Sequence, residues 1–363
     1  MKLSQNTLEL LADIENRISP EVEDDYISQW QNFHDDKCAD AIFVPKRKAL
    51  STSSITIEKP HINDCIDDYD LMLRAQLFGV SEALRKGTAA LGIRANYGTG
   101  IMSSLFGAEL YMMPRSQNTL PTTRAFADDD KMRELVEKGV PEINAALGKK
   151  VFEFAEKTRE IFKNYPKIEK YVQIYHPDTQ GPLDITELLW GSDIFYNFYD
   201  EPELVHDVLD LATDTYIKVM DKWFEYCPSK PGINVHWDYF IKGNICLRSD
   251  SAMNISPDLY SEFVFERDKR LFDYYGGGML HFCGRGDHYL GIISKCDSMY
   301  SVNLSQPQYN NMDTIYNTLF AAGKKIIGLT NEASRAYEAR PDAVKGMIAK
   351  TSGIESKAKS YTN

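Results

Sequence analysis

Short apolar stretches alternate with longer amphipathic ones along most of this chain, and that alternation narrows the fold more than any other feature. Residues 90–97, 108–113, 170–175, 243–247, 279–283, 299–302, 325–329 and 343–348 read as strands. Between several of them, residues 130–138, 151–163, 202–226, 257–274 and 312–322 carry apolar side chains at helical spacing. Asp200-Glu201-Pro202 and Ser256-Pro257-Asp258 are helix starts, each with a capping side chain ahead of proline. Strands separated by helices pair in parallel, because the helix supplies the long crossover that parallel pairing needs. Eight such strands with no second repeat predict a single (β/α)8, or TIM, barrel of the α/β class rather than a doubly wound sheet.

Ahead of the barrel, residues 3–35 predict two helical pieces. Leu3, Leu8, Leu11, Ile14 and Ile18 fall near helical spacing, and Pro20 ends the first piece. Residues 67–86 predict another helix, stopped by Gly87. The expected layout is a helical extension over residues 1–85 packed on a barrel over 86–351, with a polar tail over 352–363.

Charge and cysteine usage exclude some partners. The chain has 363 residues and a formal charge of -12, which argues against nucleic acid or an anionic membrane as a bulk partner. No apolar run reaches the length of a membrane span, and no apolar segment of a signal peptide follows the first residues. Six cysteines are scattered without a CxxC pair, a usage that predicts a reduced, cytoplasmic protein. A small-molecule substrate is the expected partner, and pairing into a homodimer is compatible with the fold.

In a barrel of this kind the site lies where strands end and the following loops begin. That rule selects Asn96 and Tyr97, then His176, Asp178 and Gln180, then Arg248 and Asp250. It continues through His281 and Cys283, Asn303 and Gln306, and Asn331 and Glu332. Within Gly-Gly-Gly-Met-Leu-His-Phe-Cys-Gly, residues 276–284, His281 and Cys283 sit two apart on one strand and face the same way, with Phe282 facing the other. An imidazole beside a sulfur suits either a zinc ion or an activated thiol, and it also suits a buried, satisfied pair. Asp250 reads as a substrate contact or a loop cap. Arg248 reads as a partner for a substrate carboxylate or for Asp250. His236 lies in a predicted extra hairpin over the mouth. Tyr97 is expected to line the pocket within the Asn-Tyr-Gly-Thr-Gly turn, which lacks the lysine and spacing of a phosphate loop.

Several stretches resemble the uroporphyrinogen decarboxylase (URO-D) superfamily, including its corrinoid-linked methyltransferases. They are Thr179-Gln180-Gly181-Pro182-Leu183-Asp184, then Leu189-Trp190-Gly191, then residues 198–205, then Arg248-Ser249-Asp250 with residues 254–263, and finally Leu280-His281-Phe282-Cys283-Gly284. Order and spacing agree over residues 170–330, and the first 85 residues match poorly. The resemblance implies a (β/α)8 barrel. For the methyltransferase branch it implies a zinc held by His-x-Cys and a distant cysteine, activating a thiol that takes a methyl group from cobalamin. Two ligands carry over, onto His281 and Cys283. The family's late Pro-Gly-Cys strand has no counterpart, and Glu332 is the expected substitute, with His288 second. Asp250, His236 and Tyr97 are the expected catalytic residues. Asn96, His176, Asp178, Gln180, Arg248, Asn303, Gln306 and Asn331 are expected at the substrate. A corrinoid, free or on a separate corrinoid protein, would be the methyl donor.

The decarboxylase branch carries arginines near its N-terminus that face an acidic substrate. Nothing similar occurs in the first 100 residues, and Lys46-Arg47-Lys48 reads as a solvated loop. Decarboxylation of uroporphyrinogen or another acidic substrate is therefore the second reading. A non-catalytic module that binds a corrinoid or metabolite is the third.

Overall fold

The computed structural model describes residues 2–56 and 58–350. The polar tail lies outside the described residues. The fold is α/β, with helices surrounding a mostly parallel set of strands. In chain order the strands are β1 (Ile42–Phe43), β2 (Gly92–Ile93), β3 (Leu110–Tyr111), β4 (Thr122–Thr123), β5 (Gln173–Ile174) and β6 (Ile233–His236). The rest are β7 (Tyr239–Lys242), β8 (Ile245–Arg248), β9 (Gly278–Phe282), β10 (Met299–Leu304), β11 (Lys325–Ile327) and β12 (Ile348–Ala349). Six of them form one parallel sheet in the order β1-β12-β11-β10-β9-β8, and β2 pairs in parallel with β5. The remaining pairs, β3–β4 and β6–β7, are antiparallel hairpins.

Among the described residues the strand ladders do not close into the continuous ring that the sequence predicts. The break between β5 and β8 has a local cause. The Gln173 side chain turns to the β6–β7 hairpin, donating to Asn234 Oδ1 at 2.7 Å and accepting from the Val235 N–H at 2.8 Å. Beside it, the His176 ring takes the place of a strand carbonyl, its Nε2 accepting the Cys246 N–H at 2.8 Å. Side chains thus bridge a gap that backbone pairing would otherwise fill.

Alternation along the strands separates two cores. Ile245, Leu247, Leu280, Phe282, Val302 and Ile326 face the helices. Their neighbours Cys246, Met279 and Ile327, with Phe43, Tyr175 and Ala349, face the other way and pack on Ile233, Val235, Tyr239 and Phe240 of the β6–β7 hairpin. Tyr26, Trp30 and Phe33, from the helix Pro20–His34, close this inner core. A period of two on strands buried on both faces produces this division.

Four expectations need correction. The stretch 108–113 is not a parallel strand: only Leu110 and Tyr111 are extended, paired antiparallel with β4. The N-terminal stretch is not helical throughout, because β1 forms an edge of the six-stranded sheet against β12. Arg47 is not solvated. Its Nε and Nη2 donate to the two oxygens of Glu23 at 2.6 and 2.8 Å, and its guanidinium lies over the Tyr26 ring. The predicted helices at 202–226 and 312–322 are present as Pro202–Tyr226 and Met312–Ala321. The start of the expected strand 170–175 is instead the end of a helix, Pro166–Tyr171, begun by its proline.

Candidate metal centre

β8 and β9 run side by side with Arg248 opposite His281. Two residues further on, the same register carries Asp250 up to Cys283, whose backbone N–H donates to Asp250 Oδ1 at 2.6 Å. The strand pleat points His281 and Cys283 to one side, as their spacing predicts. Their Nε2 and Sγ are 3.6 Å apart, and His281 Nε2 lies 3.8 Å from Asp250 Oδ1. One donor atom from each of Asp250, His281 and Cys283 falls within 4.8 Å of the others. Tetrahedral zinc with bonds of about 2.0–2.3 Å separates its ligand atoms by roughly 3.3–3.7 Å, so the two short separations suit a shared ion.

The imidazole is held in the form a metal requires. Asn303 Nδ2 donates to the Ile327 carbonyl at 2.7 Å, which turns its Oδ1 toward His281 Nδ1 at 2.6 Å. Nδ1 must then carry the proton, and Nε2 keeps a bare lone pair facing Asp250 and Cys283. Outer contacts fix the rest. Asp184 accepts the N–H groups of Asp250 and Ser251 at 3.1 and 2.7 Å. Ser305 Oγ donates to Cys283 Sγ at 3.1 Å, and Gln306 Oε1 accepts the Gly284 N–H at 2.6 Å.

Burial and then the Asp250 carboxylate push the Cys283 thiol up to about 12. Burial and then the Arg248 charge bring His281 down to about 4. Burial also raises Asp250, and burial with the neighbouring Asp250 raises Asp184 to about 7. A Cys-His-Asn sequence of contacts is also that of a cysteine nucleophile. Such a nucleophile needs a thiolate–imidazolium pair, whereas these surroundings keep both groups neutral. An added cation reverses that preference by drawing the proton off sulfur. The oxygen, nitrogen and sulfur donors therefore fit zinc, and the cluster fits a metal site better than a free nucleophile.

Next to Asp250 opens a cavity of about 310 Å³ lined in part by Thr99, Thr123, Gln180, Asp184 and Glu187. Behind it is a buried polar group. Arg248 Nε donates to Asp178 Oδ1 at 2.6 Å, Arg94 Nη1 reaches Asp178 Oδ2 at 3.4 Å, and Gln180 donates to Asp178. Burial tends to raise the Asp178 carboxyl, but the two arginines outweigh it and the net shift is downward. Asn96 Oδ1 accepts from Arg94 Nε at 2.8 Å. Gln180 has φ 59, and Trp237 has φ 50 at the first turn residue of the β6–β7 hairpin. Non-glycine residues rarely adopt this conformation. The Trp237 ring meets His281 edge-on at 4.7 Å and carries the Arg248 guanidinium over its face at 5.1 Å.

Asp250, His281, Cys283, Asn303, Gln306, Asp178, Gln180, Arg248 and Asn96 thus belong to one connected neighbourhood. Other expected site residues do not join it as expected. Glu332 is exposed in the first turn of the helix Asn331–Glu338, with Asn331 exposed beside it. Thr330 caps that helix, and the third metal-capable side chain beside His281 and Cys283 is Asp250 rather than Glu332. His288 Nε2 contacts the Ile255 carbonyl instead. Tyr97 is buried in the helix-side core, where Tyr69 and Glu153 are the charged or polar groups that bear on it most after burial itself. The hairpin carrying His236 lies beneath the site, not over its mouth. His236 is fully buried with Nε2 3.3 Å from Arg248 Nη2. His176 has both nitrogens engaged by backbone, Nδ1 at the Pro177 carbonyl and Nε2 at Cys246. Arg94, Asp184 and Trp237 were not among the expected site residues. Strand parity with Asn96 could have signalled Arg94. Nothing in the sequence marks Trp237 as the tip of an inward hairpin.

No helix among the described residues is long and apolar enough to cross a membrane. No family model matches the chain, and no curated protein matches it significantly.

Proposed function

We propose that this chain is a zinc-dependent methyltransferase of the URO-D superfamily type, transferring a methyl group from a corrinoid to a small thiol or related nucleophile. The observation that carries the reading is the meeting of Asp250, His281 and Cys283 within 4.8 Å, with His281 held so that Nε2 faces the other two. The family-like segments supply these donors: Arg248-Ser249-Asp250 and Leu280-His281-Phe282-Cys283-Gly284. On this reading the eight parallel strands β1, β2, β5 and β8–β12 stand around one axis as a (β/α)8 barrel. Their shared division into an inner and an outer core supports it.

Bound zinc would supply Lewis acidity, keeping a substrate sulfur ionised near neutral pH. The chain's own residues prepare that site. Asn303 fixes the imidazole, and Asp184 holds the backbone of Asp250. Ser305 donates a hydrogen bond to the Cys283 sulfur, which spreads its charge. Trp237 shields His281 from below, and the cavity beside Asp250 receives the nucleophile. The corrinoid is a co-substrate presented at the open side of the site.

Metal analysis provides the first test. After incubation with zinc and desalting, about one equivalent per chain is expected. Cys283→Ser and Asp250→Asn should each weaken zinc at least about a hundredfold, and Glu332→Ala should leave it unchanged. Methyl transfer is then followed by the absorbance of methylcobalamin with a panel of thiols. Full activity without zinc, or carbon dioxide released from uroporphyrinogen by the metal-free chain, would refute the assignment.

A further inference from the structure

The cavity of about 310 Å³ beside Asp250 has carboxyls on its wall and, among the described residues, no lysine or arginine. Asp184, Glu187 and Asp250 line it. Arg94 and Arg248 stand behind it, both turned to Asp178. Over this whole group four carboxyls meet two guanidinium groups, and with Asp184 protonated the carboxylates still outnumber them. Gln180, on the same wall, is short of a donor. Its Nε2 donates to the Asp178 carboxylate, which can only accept, so the carbonyl oxygen turns the other way. That oxygen has no hydrogen-bond partner among the described residues, although Gln180 is only 5 % exposed. It is not sealed in protein, and the open space that Gln180 borders is this cavity. Glu187 lies one turn beyond Asp184 on the helix Pro182–Trp190. Asp184 spends its oxygens on the Asp250 and Ser251 N–H groups, whereas Glu187 meets the Ser251 side chain and no cation. A second metal ion does not suit this wall. Among the described residues only Asp250, His281 and Cys283 bring three metal-binding side chains together.

We propose that the cavity holds the ammonium group of a small primary amine, with the Gln180 carbonyl oxygen and the Glu187 carboxylate as its acceptors. An ammonium group carries three donors and no acceptor, which matches an orphan carbonyl beside a carboxylate. Its charge offsets the excess of carboxylates. The far end of the ligand lies toward Asp250, His281 and Cys283, which makes the nucleophile of the proposed reaction a short aminothiol. That placement of the sulfur rests on the metal reading above, whereas the ammonium end stands on the cavity alone.

The test compares propylammonium with propanol, which match in shape and differ in charge. Both are titrated against the full chain near neutral pH with a zinc chelator present, and binding is read from the magnetic resonance of the probe. Propylammonium should bind the unsubstituted chain at least about tenfold tighter than propanol. Glu187→Gln should abolish that preference, whereas Asp250→Asn should keep it within about threefold. If Glu187→Gln does not fold, Glu187→Asp, which draws the charge back by one methylene, should reduce the preference at least about threefold. Equal binding of the two probes by the unsubstituted chain overturns the proposal. So does a preference that survives in full in the Glu187 variant that folds, or one that depends on Asp250 and not on Glu187. Zinc uptake, measured without chelator, separates the two readings. A chain that takes up zinc and shows no preference keeps the metal and loses the ammonium site, and a chain that refuses zinc yet prefers propylammonium does the reverse.

Discussion

Asn303 decides which nitrogen of His281 is offered to a metal, so it is the residue on which the candidate centre most depends. Replacing it with leucine removes the acceptor at 2.6 Å and frees the ring to adopt either tautomer. Losses of this kind weaken metal affinity by about 10–100-fold. Asn303→Leu should therefore show that loss in competition titrations with a zinc chelator, while Asn303→Asp, which keeps the acceptor, should retain zinc. The His281–Cys283 pair was legible because strand parity is local. Asp250 was identified as a site residue but not as a ligand. Recognising it as the third donor needs the β8–β9 register, which sets Arg248 against His281 and so Asp250 against Cys283. Glu332 was chosen for its strand-end position, and a helix start at Asn331 turns it to solvent. Arg47 was misread because three adjacent basic residues resemble a solvated loop, whereas its partner Glu23 is remote in sequence.

At the level of elements, long amphipathic helices were legible and very short strands were not. β1, of two residues, gives too little pattern to detect before its pairing with β12 is known. The β6–β7 hairpin was legible as an extra element, but its location was not. Its residues, except Lys242, are buried on both faces because it fills the inner core instead of covering the mouth. Close approach between β8 and β9 makes a stringent demand on one glycine. A Cβ at Gly278 would lie 1.9 Å from the Ile245 carbonyl oxygen, a backbone atom that cannot rotate away. Gly278→Ala should push the two strands apart and destabilise the chain by about 3 kcal/mol or more, as overpacked core sites do. Urea unfolding measures the loss. Since the same strands carry Arg248 and His281, any folded fraction should also bind zinc more weakly.

For the whole molecule, buried ionisable groups set the pH at which the fold is most stable. Burial depresses His34 to about 4 and His176 to about 3, with His236 and His281 also lowered. Below about pH 6.5 the unfolded chain takes up protons that these folded imidazoles refuse, so stability falls with acidification. Burial has the opposite consequence for carboxyls, raising Asp268 to about 8 and Asp184 to about 7, with Asp250, Glu187 and Asp238 also raised. Their folded forms stay protonated while the unfolded chain has ionised, so stability declines as pH rises toward 8. Only Asp268 and Asp184 are raised far, so between the carboxylate range and pH 6.5 the four imidazoles outweigh the carboxyls. Above it the carboxyls act alone. Urea midpoints of the metal-free chain should therefore peak near pH 6.5, and Asp268→Asn should flatten the alkaline side. A midpoint that climbs steadily from pH 6 to 8 would contradict this balance.

Trp237, at the inward tip of the β6–β7 hairpin, leaves His281 no route to solvent from below. On the reading proposed above, anything that reaches His281 would come from the side on which Asp250 opens, so a reactant and its product would share one way in and out.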